Sequence, residues 1–393
     1  MKRRSQGRKV RRDAPEQIGS AQIRNATAFR FVRRVHMAAF RVGRDPSGQS
    51  TDSGVQIEYT RRMATTNATT NAGSLPDWKT IVQAHERIRS RIHRTPVLTS
   101  DSLNTLAGAQ LFFKCENLQK TGSFKIRGAT NAVFSLTEEE ARRGVVTHSS
   151  GNHAAAVACA AGWRGVRASI VMPTNASPVK CRAVESYGGK ITFCEANVTS
   201  RAETAARIQA ETGAVMVHPY DDDRVIAGQA TAGKELLEEV PDLDAVLAPV
   251  SGGGLLSGTC LGAKGAREQV RVFGCEPERA SDAYRSLTKG ELQTLETSDT
   301  IADGLRASLA PRTFAILKKH VHGILLVTEE EIVASMKLVW ERMKIVIEPS
   351  AAVALAPLLR SGGRSELRMA GSREPGKMRI GVILSGGNVE LKW

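Results

Sequence analysis

Short runs of consecutive apolar residues alternate with longer segments of helical period along most of this chain. The apolar runs predict strands at Leu111–Lys114, Val145–His148, Ala168–Met172, Ile191–Cys194, Val215–His218, Ala245–Val250, Val270–Cys275, Ile324–Val327 and Met378–Leu384. The segments before and between them predict helices at Asp77–Arg89, His153–Ala161, Pro178–Tyr187, Ser200–Thr212, Arg224–Glu239, Leu255–Arg267, Ser281–Thr288 and Glu329–Met343. Apolar strands joined by crossover helices are typical of parallel sheets that helices cover on both faces. The pattern therefore predicts an α/β fold built on open, twisted parallel sheets.

The composition is that of a globular protein of 393 residues, 41% hydrophobic and 24% charged. No apolar run approaches the roughly 20 residues that a membrane-spanning helix needs, so we expect no membrane segment. The six cysteines form no Cys-x-x-Cys pair. This spacing argues against a disulfide framework or a zinc site and favours a cytoplasmic protein.

The net charge of +15 comes mainly from the N-terminal segment, because residues 1–62 carry 15 Lys/Arg against 5 Asp/Glu. A nucleic-acid-binding protein should carry its basic patch on the folded part, so we expect no nucleic-acid partner. Residues 1–75 lack a sustained period and predict a disordered basic extension. Three interpretations of it stay open: a mitochondrial or plastid transit peptide, an extension upstream of a natural start at Met63, or a tail that binds nucleic acid or membrane surfaces.

The segment Lys120–Ala129 contains a candidate nucleophile, Lys125. Phe124 and Ile126 flank it, and a partly apolar pocket lowers the pKa of a lysine and frees its amine to attack an aldehyde. Gly122 and Gly128 let the backbone approach a ligand closely. On this segment alone, the alternative is an ordinary surface lysine in a basic turn.

Three predicted strands end in turns that could bind a ligand. Ser149–His153 offers hydroxyls and the amide of Asn152, although a serine here could simply cap the next helix. Ser251–Leu255 contains three consecutive glycines whose N–H groups can converge on a phosphate. Ser385–Asn388 offers a hydroxyl at the end of the last strand. A reactive lysine, a phosphate nest, an amide and a hydroxyl are the contacts that pyridoxal 5'-phosphate needs.

These motifs resemble the serine racemase and serine/threonine dehydratase family, and they stand in the family's order. They are Ser123–Ala129, Ser149–His153, Ser251–Leu255, Thr300–Gly304 and Ser385–Asn388. The resemblance runs from about Asp77 to Trp393. It implies the tryptophan-synthase-β-like fold of fold type II, with a large cofactor-binding domain (76–143 and 222–393), a small domain (144–221) and a homodimer.

The resemblance also implies a role for each site residue. Lys125 would bind the cofactor covalently and act as the base on one face of the substrate, and Ser150 would act on the other face. Asn152 would contact the ring hydroxyl, and Ser385 the ring nitrogen. The phosphate would lie on the loop formed by Ser251, Gly252, Gly253, Gly254 and Leu255.

A divalent cation (Mg²⁺, Mn²⁺ or Ca²⁺) is implied at Glu276, the carbonyl of Ala280 and Asp282, because such cations prefer oxygen ligands. An ATP activator site at a dimer interface, known in animal serine racemases, is matched by Lys120, Thr121, Tyr187, Lys344 and Asn388. Asp101 and Ala155 depart from that site, which leaves ATP activation open. Other departures from the family pattern, at Tyr220, Ala230 and Ser251, remove no catalytic group.

The activity implied is a serine racemase that interconverts L- and D-serine, with accompanying elimination of serine to pyruvate and ammonia. The main alternative is a catabolic L-threonine/L-serine dehydratase. A biosynthetic threonine deaminase is disfavoured, because little chain follows Ser385 to form a regulatory domain. An enzyme specific for dicarboxylates is disfavoured by Asp221-Asp222-Asp223, which would repel a second carboxylate. A non-catalytic binding protein does not fit the intact Lys125 and Ser385.

Overall fold

The computed structural model of the chain describes residues 75–295, 298–360 and 377–390. Helices and strands alternate through these ranges as the sequence predicts. The strands are β1 (Val97–Leu98), β2 (Gln110–Cys115), β3 (Val145–His148), β4 (Ala168–Pro173), β5 (Lys190–Cys194), β6 (Val215–Met216), β7 (Ala245–Pro249), β8 (Arg271–Pro277), β9 (Gly323–Val327) and β10 (Arg379–Leu384). The helices are α1 (Trp78–Ile88), α2 (Asp101–Ala107), α3 (Lys125–Phe134), α4 (Glu138–Arg143), α5 (Asn152–Arg164), α6 (Pro178–Ser186), α7 (Val198–Thr212), α8 (Asp223–Glu239), α9 (Gly254–Ala266), α10 (Asp282–Lys289), α11 (Pro311–His320), α12 (Glu329–Met343), α13 (Pro349–Ala352) and α14 (Ala356–Leu359).

The strands form two sheets. The larger has the order β1-β2-β10-β7-β8-β9, and the smaller has the order β5-β4-β3-β6. All pairs are parallel except β1 with β2, an antiparallel edge pair that the sequence did not predict. The α/β class with parallel sheets is therefore confirmed. The four strands of the smaller sheet all fall between residues 145 and 216. The domain boundaries at 144–221 stay a prediction.

The central strands are parallel because they are apolar on both faces. Every residue of β7 is buried, as are five of the six residues of β10. Leu247 and Val382 on neighbouring strands are fully buried in one cluster, while Val246 and Ile383 are buried in another. Each central strand thus has side chains in two apolar layers. This rigid centre holds the carboxyl ends of the strands in place.

Helix α3 is the main element that the sequence did not predict, and it begins at Lys125 itself. Its residues from Ile126 to Val133 are buried. It packs on α8 so closely that a Cβ on Gly128 would lie 2.6 Å from Nε2 of Gln229. A Cβ on Gly228 would likewise lie 2.6 Å from the carbonyl oxygen of Arg127. The lysine therefore stands at the start of a buried helix.

The predicted basic extension lies outside the described residues, apart from its last position. At the first described helix, the side chain of Asp77 caps α1 by accepting a hydrogen bond from the Thr80 N–H. In the described part of the chain, no helix combines the length and the apolar character needed to cross a membrane.

Candidate active site

Lys125 is half-buried at the start of α3. Its Nζ donates a hydrogen bond to the carbonyl of Pro219 (2.9 Å) and lies 5.1 Å from the centre of the Phe124 ring. Burial lowers the pKa of Lys125 to about 8, and the carboxyl of Glu348 opposes that shift. At neutral pH about a tenth of the amine is then unprotonated, against less than a thousandth for a free lysine. The amine is therefore primed to attack an aldehyde.

The glycine loop after β7 forms an anion-binding end of a helix. Gly253 has φ 89°, which favours glycine, and α9 starts at Gly254 without a side-chain cap. The N–H groups of the first turn therefore have no acceptor within the helix and can bind an anion. A Cβ on Gly252 would lie 2.4 Å from the ring of Tyr220, so the loop has no room for a side chain there.

The hydroxyl of Ser251 is hydrogen-bonded to the backbone of Ala307. The Oγ donates to the carbonyl of Ala307 (3.2 Å) and accepts from the N–H of Ala307 (3.1 Å). Only the backbone of Ser251 is then left to contact a phosphate. The side chain of Leu255 is buried in the core, so only its backbone is available to a phosphate.

The Ser149–His153 turn connects β3 to α5. Asn152 is the first residue of α5, and its Nδ2 donates to both carboxylate oxygens of Glu348 (3.0 and 3.2 Å). Ser150 is half-buried. The N-cap of α5 is Gly151, with no side-chain cap hydrogen bond, so Ser150 does not cap the helix. Its hydroxyl has no structural task in the described part of the chain and could serve catalysis.

Ser385 directly follows β10 and lies beside the lysine segment. The carbonyl of Ser385 accepts from the N–H of Phe124 (3.0 Å), and Ser123 forms a bridge with Gly386. The carbonyl of Gly386 accepts from the N–H of Glu348 (3.0 Å). Ser385 is 2% exposed, so its hydroxyl is held on a rigid strand end.

The predicted motifs meet through these contacts. Pro219 holds the amine of Lys125, and the next residue, Tyr220, covers the glycine loop. On the other side, Glu348 joins Asn152 to the Ser385 turn. Neither Pro219 nor Glu348 was predicted as a site residue, because neither stands in a recognisable motif.

The residues present fit pyridoxal phosphate. Among the described residues, the fully buried Oγ of Ser123 has no hydrogen-bond partner, and it lies between the lysine helix and Gly386. Such an atom costs about 1–3 kcal/mol unless a ligand or water satisfies it. With the uncapped helix end and the amine, it makes a polar cradle for a phosphorylated aldehyde.

Three histidines to which the sequence analysis assigned no role lie around this region as neutral side chains. Burial lowers the pKa of His148 to about 4 and that of His153 to about 3, and it holds that of His218 well below its usual range. The Nδ1 of His218 accepts from the N–H of Asp221 (2.9 Å). Because they stay neutral, these rings add no positive charge near Lys125.

The predicted metal ligands lie between the end of β8 and the start of α10. Glu276 and Asp282 are 0% and 1% exposed, and Ala280 is 2% exposed. Burial raises the pKa of Asp282 to about 7, and burial with the nearby Asp282 raises that of Glu276 well above its usual range. Backbone N–H groups of Ala283 and Leu309 donate to these two carboxylates. The described residues contain no cluster of three acidic, histidine or cysteine ligands. Two carboxylates and a carbonyl still suit a hard cation that takes water for its other ligands.

Two of the residues matched to a nucleotide site are in contact. The Nδ2 of Asn388 donates to the carbonyl of Thr121 (2.8 Å) and to Oδ1 of Asn152 (2.9 Å). Thr121 and Lys344 have φ values of 61° and 59°, and a non-glycine residue pays roughly 1–2 kcal/mol for this conformation. Both strained residues belong to the matched set.

The acidic run Asp221-Asp222-Asp223 is paired with arginines, which the sequence did not predict. Arg312 lies 3.2 Å from carboxylate oxygens of both Asp221 and Asp223, and Arg224 pairs with Asp222 at 2.6 Å. The charge of the acidic run is therefore largely balanced, and it does not by itself repel a second carboxylate.

Comparison with known proteins gives a consistent picture. The profile of the family described as pyridoxal-phosphate dependent enzyme matches residues 88–386. The chain is 50% identical over 317 residues to beta-hydroxyaspartate dehydratase of Paracoccus denitrificans, covering 81% of this chain and 98% of that protein. It is 49% identical over 315 residues to serine racemase of Dictyostelium discoideum, covering 80% and 95%. A solved structure of serine racemase from Dictyostelium discoideum superposes with a TM-score of 0.75 at 49% identity, covering 80% of this chain and 99% of that one. The chain therefore belongs to the family of pyridoxal-phosphate dependent enzymes.

Proposed function

We propose that this enzyme is a serine racemase that interconverts L- and D-serine and also eliminates serine to pyruvate and ammonia. The observation that carries the proposal is the meeting of Lys125, the glycine loop, Asn152 and the Ser385 turn in one connected site. Similarity to several serine racemases supports the choice of substrate. Pyridoxal phosphate, when bound to Lys125, supplies the electron sink that makes the α-proton of an amino acid acidic.

The residues of the chain divide the remaining work. The amine of Lys125 takes a proton from one face of the α-carbon, and its lowered pKa suits it to act as a base near neutral pH. The helix end at Gly252–Leu255 would hold the phosphate, and Asn152 and Ser385 would orient the ring. The hydroxyl of Ser385 would meet the ring nitrogen without the charge of a carboxylate. A bound cofactor would then be a weaker electron sink, which would favour loss of the β-hydroxyl alongside racemisation.

Racemisation also needs a proton donor on the opposite face, and Ser150 is our candidate. Its hydroxyl is not used as a helix cap, and it stands two residues before Asn152 at the same strand end. We expect Ser150→Ala to abolish formation of D-serine from L-serine while pyruvate formation persists. Chiral chromatography of the products would measure both. Equal loss of the two activities would assign Ser150 a structural role.

Lys125→Ala should abolish both activities and the visible absorbance of the bound cofactor. Borohydride reduction of the wild-type enzyme, followed by peptide mapping, should place the pyridoxyl group on Lys125. The neighbouring Lys120→Ala is the control and should keep the absorbance. An active, coloured Lys125→Ala enzyme would overturn the assignment.

A dehydratase is the second candidate function. The specific observation in its favour is the balanced Asp221–Asp223 run, together with the similarity to a beta-hydroxyaspartate dehydratase. Assays of the wild-type enzyme with L-serine, L-threonine and β-hydroxyaspartate separate the candidates. Fast ammonia release from either of the latter two, with no D-serine made from L-serine, would favour the dehydratase.

The remaining assignments complete the proposal. Glu276, the Ala280 carbonyl and Asp282 would hold Mg²⁺, Mn²⁺ or Ca²⁺ as a structural cation. Two copies of the chain would form a homodimer. ATP would bind near Thr121 and Asn388, where the hydrogen bond from Asn388 to Asn152 gives a path to the cofactor ring.

A further inference from the structure

We propose that Arg127 is a positioning residue for Lys125, holding the first turn of α3 from the far side of the helix. Residues two apart on a helix point about 200° away from each other, so Lys125 faces the site while Arg127 faces the core. The inference takes Lys125 as the cofactor lysine, as proposed above.

Arg127 is fully buried, and each of its five N–H donors is used. Nε and Nη2 donate to the two oxygens of Glu116 (2.7 and 2.8 Å). Nη1 and Nη2 donate to the two oxygens of Glu235 (2.9 and 2.8 Å). The fifth hydrogen bond runs from Nη1 to Oγ1 of Thr231 (3.1 Å). The planar fork of a guanidinium then fixes the angle of the side chain as well as its distance.

The acceptors are anchored in turn on other elements. Glu235 also accepts from Nζ of Lys114 on β2 (2.7 Å), and Glu116 accepts from Oγ1 of Thr95 (2.6 Å). The four charged side chains Arg127, Lys114, Glu116 and Glu235 are all 0–1% exposed, and their charges sum to zero. A buried cluster of charges often contributes no more to folding stability than apolar side chains of the same volume would. What apolar side chains could not supply is its set of directional hydrogen bonds.

Helix α3 needs this restraint, because its N-terminus has no side-chain cap. The turn is otherwise fixed by the Phe124 N–H to the Ser385 carbonyl (3.0 Å) and by the close contact of Gly128 with α8. A small rotation of this turn would move the Lys125 amine away from the Pro219 carbonyl. The guanidinium therefore sets where the reactive amine stands.

The test is a graded pair of variants measured as holoenzyme and as apoprotein. Arg127→Lys keeps the charge but loses the fork. Thr231→Val removes one of the five acceptors, together with the hydrogen bond from the Thr231 hydroxyl to the Gly228 carbonyl (2.6 Å). A displaced reacting group costs up to about a hundredfold in rate, so we expect Arg127→Lys to lower kcat roughly ten- to a hundredfold with little change in KM. The pH midpoint of the visible cofactor absorbance should shift by about half a unit or more. Thr231→Val should change kcat and the pH midpoint in the same direction as Arg127→Lys, but by less.

Arg164→Met is the matched control at the other end of α3. Arg164 donates to the carbonyls of Val133 and Leu136, so its loss should lower the unfolding temperature of the apoprotein without changing the absorbance titration. The proposal is overturned if Arg127→Lys and Thr231→Val keep the wild-type titration and kcat, or if Arg164→Met changes them equally. If Arg127→Lys does not fold, Thr231→Val decides by the same criterion. A wild-type enzyme without label on Lys125 would instead overturn the proposed function.

Discussion

Glu348 is a single carboxyl that links Asn152 to the Ser385 turn. It is 4% exposed, and it accepts from Asn152 while its own N–H donates to Gly386. Burial raises the pKa of Glu348 to about 7, and the hydrogen bond from Asn152 opposes the shift. The carboxyl is thus close to half protonated near neutral pH, and its charge acts on both Asn152 and Lys125.

This shift predicts a pH dependence of stability. The folded protein binds the Glu348 proton more tightly than the unfolded chain, whose ordinary pKa is 4.5. The stabilisation is therefore complete below about pH 4.5 and is lost as the pH rises to about 7. Glu348→Gln cannot titrate. Between about pH 5 and 8 its free energy of unfolding should therefore fall by about 2–3 kcal/mol less than that of the wild type.

Urea unfolding of the apoproteins at several pH values would measure the difference. Glu341→Gln, which alters an exposed carboxyl on α12, is the control and should follow the wild type. Parallel profiles for Glu348→Gln and the wild type would show that Glu348 does not titrate in this range.

At the residue scale, sequence reasoning found the groups that stand in local motifs. Lys125, Asn152 and Ser385 follow strand ends or turns with unusual small residues, so their chemistry is visible locally. Glu348 lies 196 residues from Asn152, and before Pro349 it resembles an ordinary helix start. Its role depends on a long-range contact that no local pattern encodes.

At the scale of elements, the strands were predictable and the lysine helix was not. The predicted β3 and α12 match the structure residue for residue, because an apolar run or a capping box specifies each. Helix α3 contains Gly128, Thr130 and Asn131, which are poor helix formers. It is helical because it packs between α5 and α8, and this tertiary effect overrides local propensity.

The turn from β8 to α10 carries the prediction about metal. Mg²⁺ or Mn²⁺ should raise the unfolding temperature of the wild type, since a ligand at a hundred times its Kd stabilises by about 2.7 kcal/mol. Asp282→Asn should remove this response, because it deletes one of two buried carboxylates. Thermal scans with and without a chelator would measure it. Asp299→Asn, an exposed neighbour, is the control, and a full metal response in Asp282→Asn would show that the cation binds elsewhere.

At the scale of the whole molecule, an ion pair joins the parts built on the two sheets. Lys180 on α6 pairs with Asp303, which lies between α10 and α11, and the side chains are 34% and 44% exposed. Both charges act on the pKa of Glu348, so the pair lies near the site. Exposed pairs contribute roughly 0–1 kcal/mol to stability, so we expect this pair to affect the site more than folding.

We expect Lys180→Met and Asp303→Asn each to raise KM for serine by about two- to fivefold. The double variant should be no worse than either single one, because the lost interaction is shared. High salt should likewise raise the KM of the wild type for serine, because it screens the ion pair. Steady-state kinetics of the wild type, the two single variants and the double variant would measure these effects. Arg207→Met, which breaks an ion pair within α7, is the control. Additive effects would show that the two residues act independently.

Because β10 lies in the middle of the larger sheet, the two sheets can fold at different times during translation. Without β10, the larger sheet separates into β1-β2 and β7-β8-β9. The smaller sheet uses only residues 145–216, so it can fold on the ribosome while the rest is still being made. Phe124 and Glu348 gain their backbone partners at Ser385 and Gly386 only after β10 has emerged. A nascent chain therefore carries Lys125 without a finished pocket until β10 has emerged, and we expect loading with cofactor to follow that step.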